Sequence, residues 1–191
     1  MTFTEAFLVS VSTISVAEMG DRTQLLSLVL SARYRRPVPI IAGILCATLA
    51  NHAAAGLLGT LFGDMLRPVT LQLAVGVSMI GMALWTLKPD MLDDKTVRAS
   101  AAGAFLATLT SFFLAEMGDK TQIATVALAA AYPSLLAVIA GTTLGMLVAN
   151  VPVVVLGRAF ADRLPLKTIQ RSASLLFLVL GVLFLVRAVR P

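Results

Sequence analysis

This sequence has little charge. Of its 191 residues only 13% are Asp, Glu, Lys or Arg, against 58% hydrophobic, a balance that excludes an ordinary water-soluble domain. The apolar runs approach or exceed the ~20 residues that cross a bilayer, so the chain reads as an integral membrane protein. Cysteine is almost absent: Cys46 stands alone inside an apolar run, which excludes an intramolecular disulfide and a multi-cysteine metal site. Histidine is also single, His52, so clustered imidazole is excluded too. The net charge of +5 comes without a basic patch interleaved with aromatics, which argues against a nucleic-acid partner. The N-terminus has no cationic leader region and no small-residue cleavage site, so the first apolar run is expected to be a mature helix.

What is present is a set of six apolar runs, about Glu5 to Ala32, Val38 to Phe62, Thr70 to Leu87, Ala99 to Ala131, Ser134 to Gly157 and Thr168 to Val189. Short connections carrying proline separate them, at Arg36-Pro37, Arg67-Pro68, Lys88-Pro89, Tyr132-Pro133 and Leu164-Pro165. The halves repeat at a constant offset of 98: Phe7 matches Phe105, Tyr34 matches Tyr132, Ala42-Gly43 matches Ala140-Gly141, Gly59 matches Gly157, Asp64 matches Asp162 and Gln72 matches Gln170. Shared hydrophobicity does not align Gly, Asp, Gln and Tyr, so this is an internal duplication. It divides the chain into residues 1–88, a central connection at 89–98, and residues 99–191. Three spans per half is an odd number, so the second half enters the membrane from the opposite side. The expected fold is an all-α integral membrane protein of six transmembrane helices, arranged as two inverted three-helix repeats.

Orientation follows from the cations. Arg33, Arg35, Arg36, Lys88, Lys95, Arg98, Arg158, Arg163, Lys167 and Arg171 fall on one side, and only Arg67, Arg187 and Arg190 on the other. Ten against three puts the first set in the cytoplasm. The chain is then a multi-pass protein of the cell (inner) membrane with both termini outside.

In the middle of the first and fourth runs the scarce charge is concentrated, as Ala17-Glu18-Met19-Gly20-Asp21-Arg22-Thr23-Gln24 and Ala115-Glu116-Met117-Gly118-Asp119-Lys120-Thr121-Gln122. Each unpaired charge at the bilayer centre costs about 3 kcal/mol on insertion scales, so these six must pair, face water or hold an ion. On one continuous helix Glu18, Asp21 and Gln24 share a face, as do Glu116, Asp119 and Gln122. An inverted repeat brings the two faces together, gathering four carboxylates and two amides, an all-oxygen set suited to a hard divalent cation. Arg22 and Lys120 each follow a glutamate by four residues, which predicts intrahelical ion pairs with Glu18 and Glu116. The two motifs together then carry minus two, which one divalent ion or two protons neutralises. Gly20 and Gly118, between the acids, are where the helix is open to kinking or unwinding.

Other polar residues have plainer readings. Asn51, His52 and Asn150 are placed to support the site, to relay protons, or to bridge helices by hydrogen bonds. Ser10, Ser12 and Thr13, aligned with Thr108, Thr110 and Ser111, are expected to bond back to their own helices. Gly43, Gly56, Gly59, Gly76 and Gly81 are expected to be close-packing positions, and Asp90, Asp93 and Asp94 a solvated cluster.

The doubled Glu-Met-Gly-Asp-Arg/Lys-Thr, in the first and fourth of six spans, resembles the Gdt family of cation exchangers, whose signature is a duplicated Glu-x-Gly-Asp-Lys/Arg-Thr/Ser. The resemblance covers essentially the whole chain. It implies a secondary transporter, not an enzyme, exchanging manganese or calcium for protons, with no tightly bound cofactor. Glu18, Asp21, Glu116 and Asp119 would be the metal ligands, with Thr23, Gln24, Thr121 and Gln122 beside them and Gly20, Arg22, Gly118 and Lys120 in support. Two other classes fit parts of the pattern. An amino-acid exporter or channel of similar topology would hold an ammonium group on the acidic face. An intramembrane aspartyl protease also places one Asp on each of two helices, but its Gly-x-Gly-Asp is absent, with Glu18 and Glu116 in the place of the first glycine. The topology is open to direct measurement: a cysteine at position 92 should react only from the cytoplasmic side and a C-terminal tag only from outside. Both signals on one face would remove the inversion.

Overall fold

The structure is a computed structural model that describes residues 2–87, 103–157 and 166–189. All regular structure among them is helical: α1 Phe3–Glu18, α2 Arg22–Tyr34, α3 Pro37–Met65, α4 Pro68–Thr86, α5 Ala104–Glu116, α6 Lys120–Ala131, α7 Leu135–Leu156 and α8 Leu166–Val189. The central connection with Asp90, Asp93 and Asp94 lies outside the described residues, as do Lys88, Lys95, Arg98, Arg158, Arg163 and the Asp162 match.

The helix starts follow local chemistry. Thr2 Oγ1 accepts from Glu5 N at 3.2 Å to cap α1, and Ser134 Oγ accepts from Ala137 N at 3.3 Å to cap α7. Pro37 and Pro68 open α3 and α4, where a missing N–H costs nothing. Arg35 ends α2 in the left-handed region at φ 50°, its N–H returning to Ser31 O.

The six expected runs appear as eight helices, because the first and fourth are each broken at the charged motif. Among the described residues four helices are long and apolar enough to cross a membrane: α3, α4, α7 and residues Gln170–Val189 of α8. Leu57, Leu58, Leu61 and Phe62 of α3, and Leu175, Leu178, Val179, Val182 and Leu183 of α8, are exposed. Surface this apolar suits lipid and not water. The chain is a multi-pass membrane protein.

Packing crosses between the halves. α1 lies on α7, where a Cβ on Gly141 would meet Phe7 O and the Ser10 Cβ at 2.7 Å. α5 lies on α3 in the same way, where a Cβ on Gly43 would meet Phe105 O at 2.9 Å and the Thr108 Cβ at 2.8 Å. The two contacts coincide at the offset of 98. α4 and α8 meet with Gly76 against Gly181 and with Ser174 Oγ donating to Ala83 O at 2.8 Å. Residue numbers rise along one helix as they fall along the other, so these two helices run antiparallel.

The glycines of α3 behave as expected of close-packing positions, whereas Gly81 of α4 does not: a Cβ there would meet nothing within 4 Å. At Gly59 a Cβ would sit 2.3 Å from Val126 O on α6, a backbone atom with nowhere to go. Gly59→Ala should therefore lower the melting temperature in detergent, by an overpacking cost of about 1–3 kcal/mol. Gly81→Ala should leave it unchanged or slightly raised.

Candidate metal centre

The two motifs fold to the same backbone shape. α1 ends at Glu18, Met19 is extended (φ −64°, ψ 120°), Gly20 takes φ 81°, Asp21 is extended (φ −81°, ψ 167°), and α2 begins at Arg22. The second copy repeats this with Met117 at −62° and 118°, Gly118 at φ 74° and Asp119 at −79° and 166°. A positive φ is where glycine alone is unstrained, which gives Gly20 and Gly118 their place in the motif.

Two side chains in each copy hold the break. Gln24 Oε1 accepts from Gly20 N, and Gln122 Oε1 from Gly118 N, both at 2.7 Å. Thr23 Oγ1 donates to Glu18 Oε2 at 2.5 Å and Thr121 Oγ1 to Glu116 Oε2 at 2.8 Å. The helix end frees backbone groups that an unbroken helix would satisfy itself, and the motif supplies partners for them within a few residues. The glutamines, expected from the sequence as oxygen ligands, here spend those oxygens on the glycine amides.

The break also overturns two expectations about the charges. Glu18 and Asp21 do not share a helical face, because one ends α1 and the other stands just before α2; the same holds for Glu116 and Asp119. Nor do the cations pair with the glutamates four residues before them. Arg22 Nη2 reaches Asp119 Oδ1 at 2.8 Å in the other half and also donates to Ala115 O at 2.6 Å, an orphan carbonyl at the end of α5. Lys120 reciprocally pairs with Asp21. The i to i+4 geometry that would join Arg22 to Glu18 needs a continuous helix, and three non-helical residues remove it. Nothing in one motif alone signals the crossing; the glycine between the acids, read together with the duplication, is its trace in the sequence.

With both cations drawn to the aspartates, the glutamates are left facing one another. Glu18 and Glu116 are fully buried, and Oε1 of each has no hydrogen-bond partner among the described residues. One carboxylate oxygen from each of Glu18, Glu116 and Asp119 lies within 4.8 Å of the others. Oxygens on opposite sides of a calcium ion, bound at 2.3–2.6 Å, stand roughly 5 Å apart, and smaller divalent ions draw them closer. Three oxygens at this spacing can thus hold one hard cation with little movement. Four carboxylates against two cations leave minus two, buried, where an uncompensated charge is costly.

A family model described as "Divalent cation/proton antiporter GDT1" matches residues 6–94 and 104–191. The chain belongs to the GDT1 family. Among its relatives is a Vibrio cholerae protein named "Putative manganese exporter", 51% identical over 175 residues that cover 91% of this chain and 87% of that one. "GDT1-like protein sll0615" of Synechocystis is 29% identical, covering 93% of this chain and 95% of its own. "Divalent cation/proton antiporter GDT1" of Saccharomyces cerevisiae is 25% identical, covering 96% and 84%. No solved structure matches. This GDT1 member is a transporter of divalent cations and protons, not an enzyme.

Around the centre of this GDT1 chain, Asn51 Nδ2 donates to Phe113 O at 3.1 Å and Asn150 Oδ1 accepts from Ser27 Oγ at 2.8 Å. Both asparagines are therefore helix bridges. His52 is buried with neither ring nitrogen bonded among the described residues. Ser12, Thr108 and Thr110 bond back to their own helices as expected, whereas Ser10 and Thr13 are buried without a partner among the described residues. The interhelical bonds of Gln24 and Ser31 were not foreseen.

The two crossed pairs differ in setting: the side chain of Lys120 is 4% exposed and that of Arg22 33%. Removing one partner of a buried pair leaves the other uncompensated, at a cost of about 3–5 kcal/mol. Lys120→Met should therefore depress the melting temperature in detergent more than Arg22→Met does. Equal losses would mean that burial does not set the strength of the pairs.

Proposed function

We propose that the chain exports manganese in exchange for protons, with Glu18, Glu116, Asp119 and Asp21 as the residues that receive the cation. The observation that carries this reading is the convergence of three buried carboxylates, two of them with an unbonded oxygen, at a spacing that fits one hard divalent ion. Metal and protons compete for the same oxygens, so binding of one releases the other, and a cluster with net charge minus two accepts one divalent ion or two protons. Thr23 and Thr121 orient the glutamates, Gln24 and Gln122 hold the breaks, and Arg22 and Lys120 keep the aspartates in place. Manganese rather than calcium is favoured by the name of the 51% identical relative, with calcium a competing substrate of the same oxygen chemistry.

In this reading each broken pair, α1 with α2 and α5 with α6, is one interrupted span. That makes six spans, in halves 1–88 and 99–191 joined by a cytoplasmic connection at 89–98, with both termini outside. Three contacts support inversion. α4 and α8, which are repeat counterparts, run antiparallel, as inverted copies must. α7 ascends alongside α1 and α2, meeting Phe7 at Gly141, Gln24 at Ala149 and Ser31 at Val154. α3 ascends alongside α5 and α6, meeting Phe105 at Gly43, Phe113 at Asn51 and Val126 at Gly59. Discontinuous helices whose ends converge on the substrate are a known device of inverted-repeat transporters.

Proteoliposomes with an imposed pH gradient should take up manganese, calcium less readily, and lysine not at all. Glu18→Gln and Glu116→Gln should each cut that uptake by more than about a hundredfold, beyond the roughly 10–100-fold that the loss of an outer-shell partner of a metal site costs. Lysine uptake would move the protein to the amino-acid exporter class. An active Glu116→Gln beside an inactive Glu18→Gln would reduce the second motif to a structural ion pair.

A further inference from the structure

The two halves are alike at the break and unlike one turn beyond it. α2 is fastened to α7 by three side-chain hydrogen bonds: Gln24 Nε2 to Ala149 O at 2.7 Å, Ser27 Oγ to Asn150 Oδ1 at 2.8 Å, and Ser31 Oγ to Val154 O at 2.8 Å. Advancing or retreating each residue by 98 turns these pairs into Gln122 with Asn51, Thr125 with His52, and Ala129 with Gly56. The groups needed for the first two bonds survive the shift, yet neither bond is made. Gln122 bonds Gly118 N through its oxygen. Thr125 Oγ1 turns back to Thr121 O at 2.8 Å, and His52 is left buried with both ring nitrogens unbonded among the described residues. In place of side-chain bonds, α6 comes close to α3 at Gly59.

A buried imidazole with neither nitrogen bonded costs free energy for as long as it stays so. The cost is recovered only in a conformation that brings a partner. Thr125 is suited to that part, because a helical threonine divides between two χ1 rotamers and this one gives up only a bond to its own helix. The ring nitrogen of His52 then accepts from Thr125 Oγ1 as Asn150 Oδ1 accepts from Ser27 Oγ. We propose that Thr125 and His52 are positioning residues of the exchange cycle, forming the second half's version of the Ser27–Asn150 bond when the first half's is released. The proposal rests on the inverted-repeat antiporter reading above, in which the site is presented to one face and then the other by moving one repeat against its counterpart. Each bond then favours one of the two presentations.

The test uses the full chain in right-side-out and inside-out vesicles, with manganese as the probe and its KM measured from each face. A ligand that needs one of two states binds with an apparent affinity reduced by the fraction of protein in that state. Loss of one neutral hydrogen bond changes the ratio of states about fivefold. Ser27→Ala and Thr125→Val should therefore shift the ratio of the two KM values in opposite directions, each about fivefold, and the double variant should return towards the wild-type ratio. His52→Asn, which keeps an acceptor, should behave as wild type, and His52→Leu should behave as Thr125→Val. If the leucine variant does not accumulate, Thr125→Val decides the matter, since it keeps the side chain's shape. A Thr125→Val protein with both KM values at wild type, or with the ratio shifted as in Ser27→Ala, overturns the proposal while leaving the antiporter reading intact. Wild-type vesicles that move no manganese from either face overturn that reading instead.

Discussion

The structure depends on the crossing of its charges. Six charged groups lie at the centre of a largely apolar helical bundle, and the cation of each motif serves the aspartate of the other. Neither half is electrically closed by itself. Separating a buried charge from an ion-pair partner is expensive, so the crossed pairs bind the two halves together. They also decide where the negative charge remains. Had the helices been continuous, Arg22 and Lys120 would have covered Glu18 and Glu116; because they are drawn across, the glutamates are answered, among the described residues, by the hydroxyls of Thr23 and Thr121. An excess of negative charge is thus concentrated on two fully buried carboxylates that face each other, which is a condition a divalent cation or protons relieve.

The glycines make this possible. Gly20 and Gly118 supply the positive φ that ends one helix and lets another begin after three intervening residues, and the amide oxygens of Gln24 and Gln122 answer the glycine N–H groups at the break. Glycine, glutamine and threonine are therefore as much part of the motif as its acids: they keep an irregular backbone satisfied from within the motif itself.

This division of labour sets the limit of what the sequence discloses. The membrane class, the duplication and the long helices were legible, because apolar run length and a fixed offset are one-dimensional signals. The helix bounds of α3, α4 and α7 fall within three residues of the apolar runs. The partners of Arg22 and Lys120 were not legible, since spacing of four speaks only for continuous helices and a cross-half contact leaves no mark in the spacing of either motif. The bonds of Gln24 Oε1 and Gln122 Oε1 to the glycine amides were hidden for the same reason: on a continuous helix those N–H groups bond within the helix. Ser10 and Thr13 show a further limit. Thr108, the counterpart of Ser10, bonds its own helix, while Ser10 and Thr13 have no partner among the described residues, a difference that belongs to packing and not to residue type.

In the inverted-repeat reading proposed above, two identical halves give the centre no preference for either face of the membrane, and a conformation that opens it to one face departs from the symmetry of the repeat. The residues at which the halves differ are where that departure is built in. The cations are unequal, with Arg22 a third exposed and Lys120 enclosed. The helices beyond the breaks are held unequally too: α2 is joined to α7 through side chains, while α6 is packed against α3 through Gly59. Those inequalities lie immediately beside the carboxylates. A small shift of α2 or α6 therefore moves the end of a half-helix that carries Asp21 or Asp119, so that the geometry of the oxygens and the packing of the halves change together.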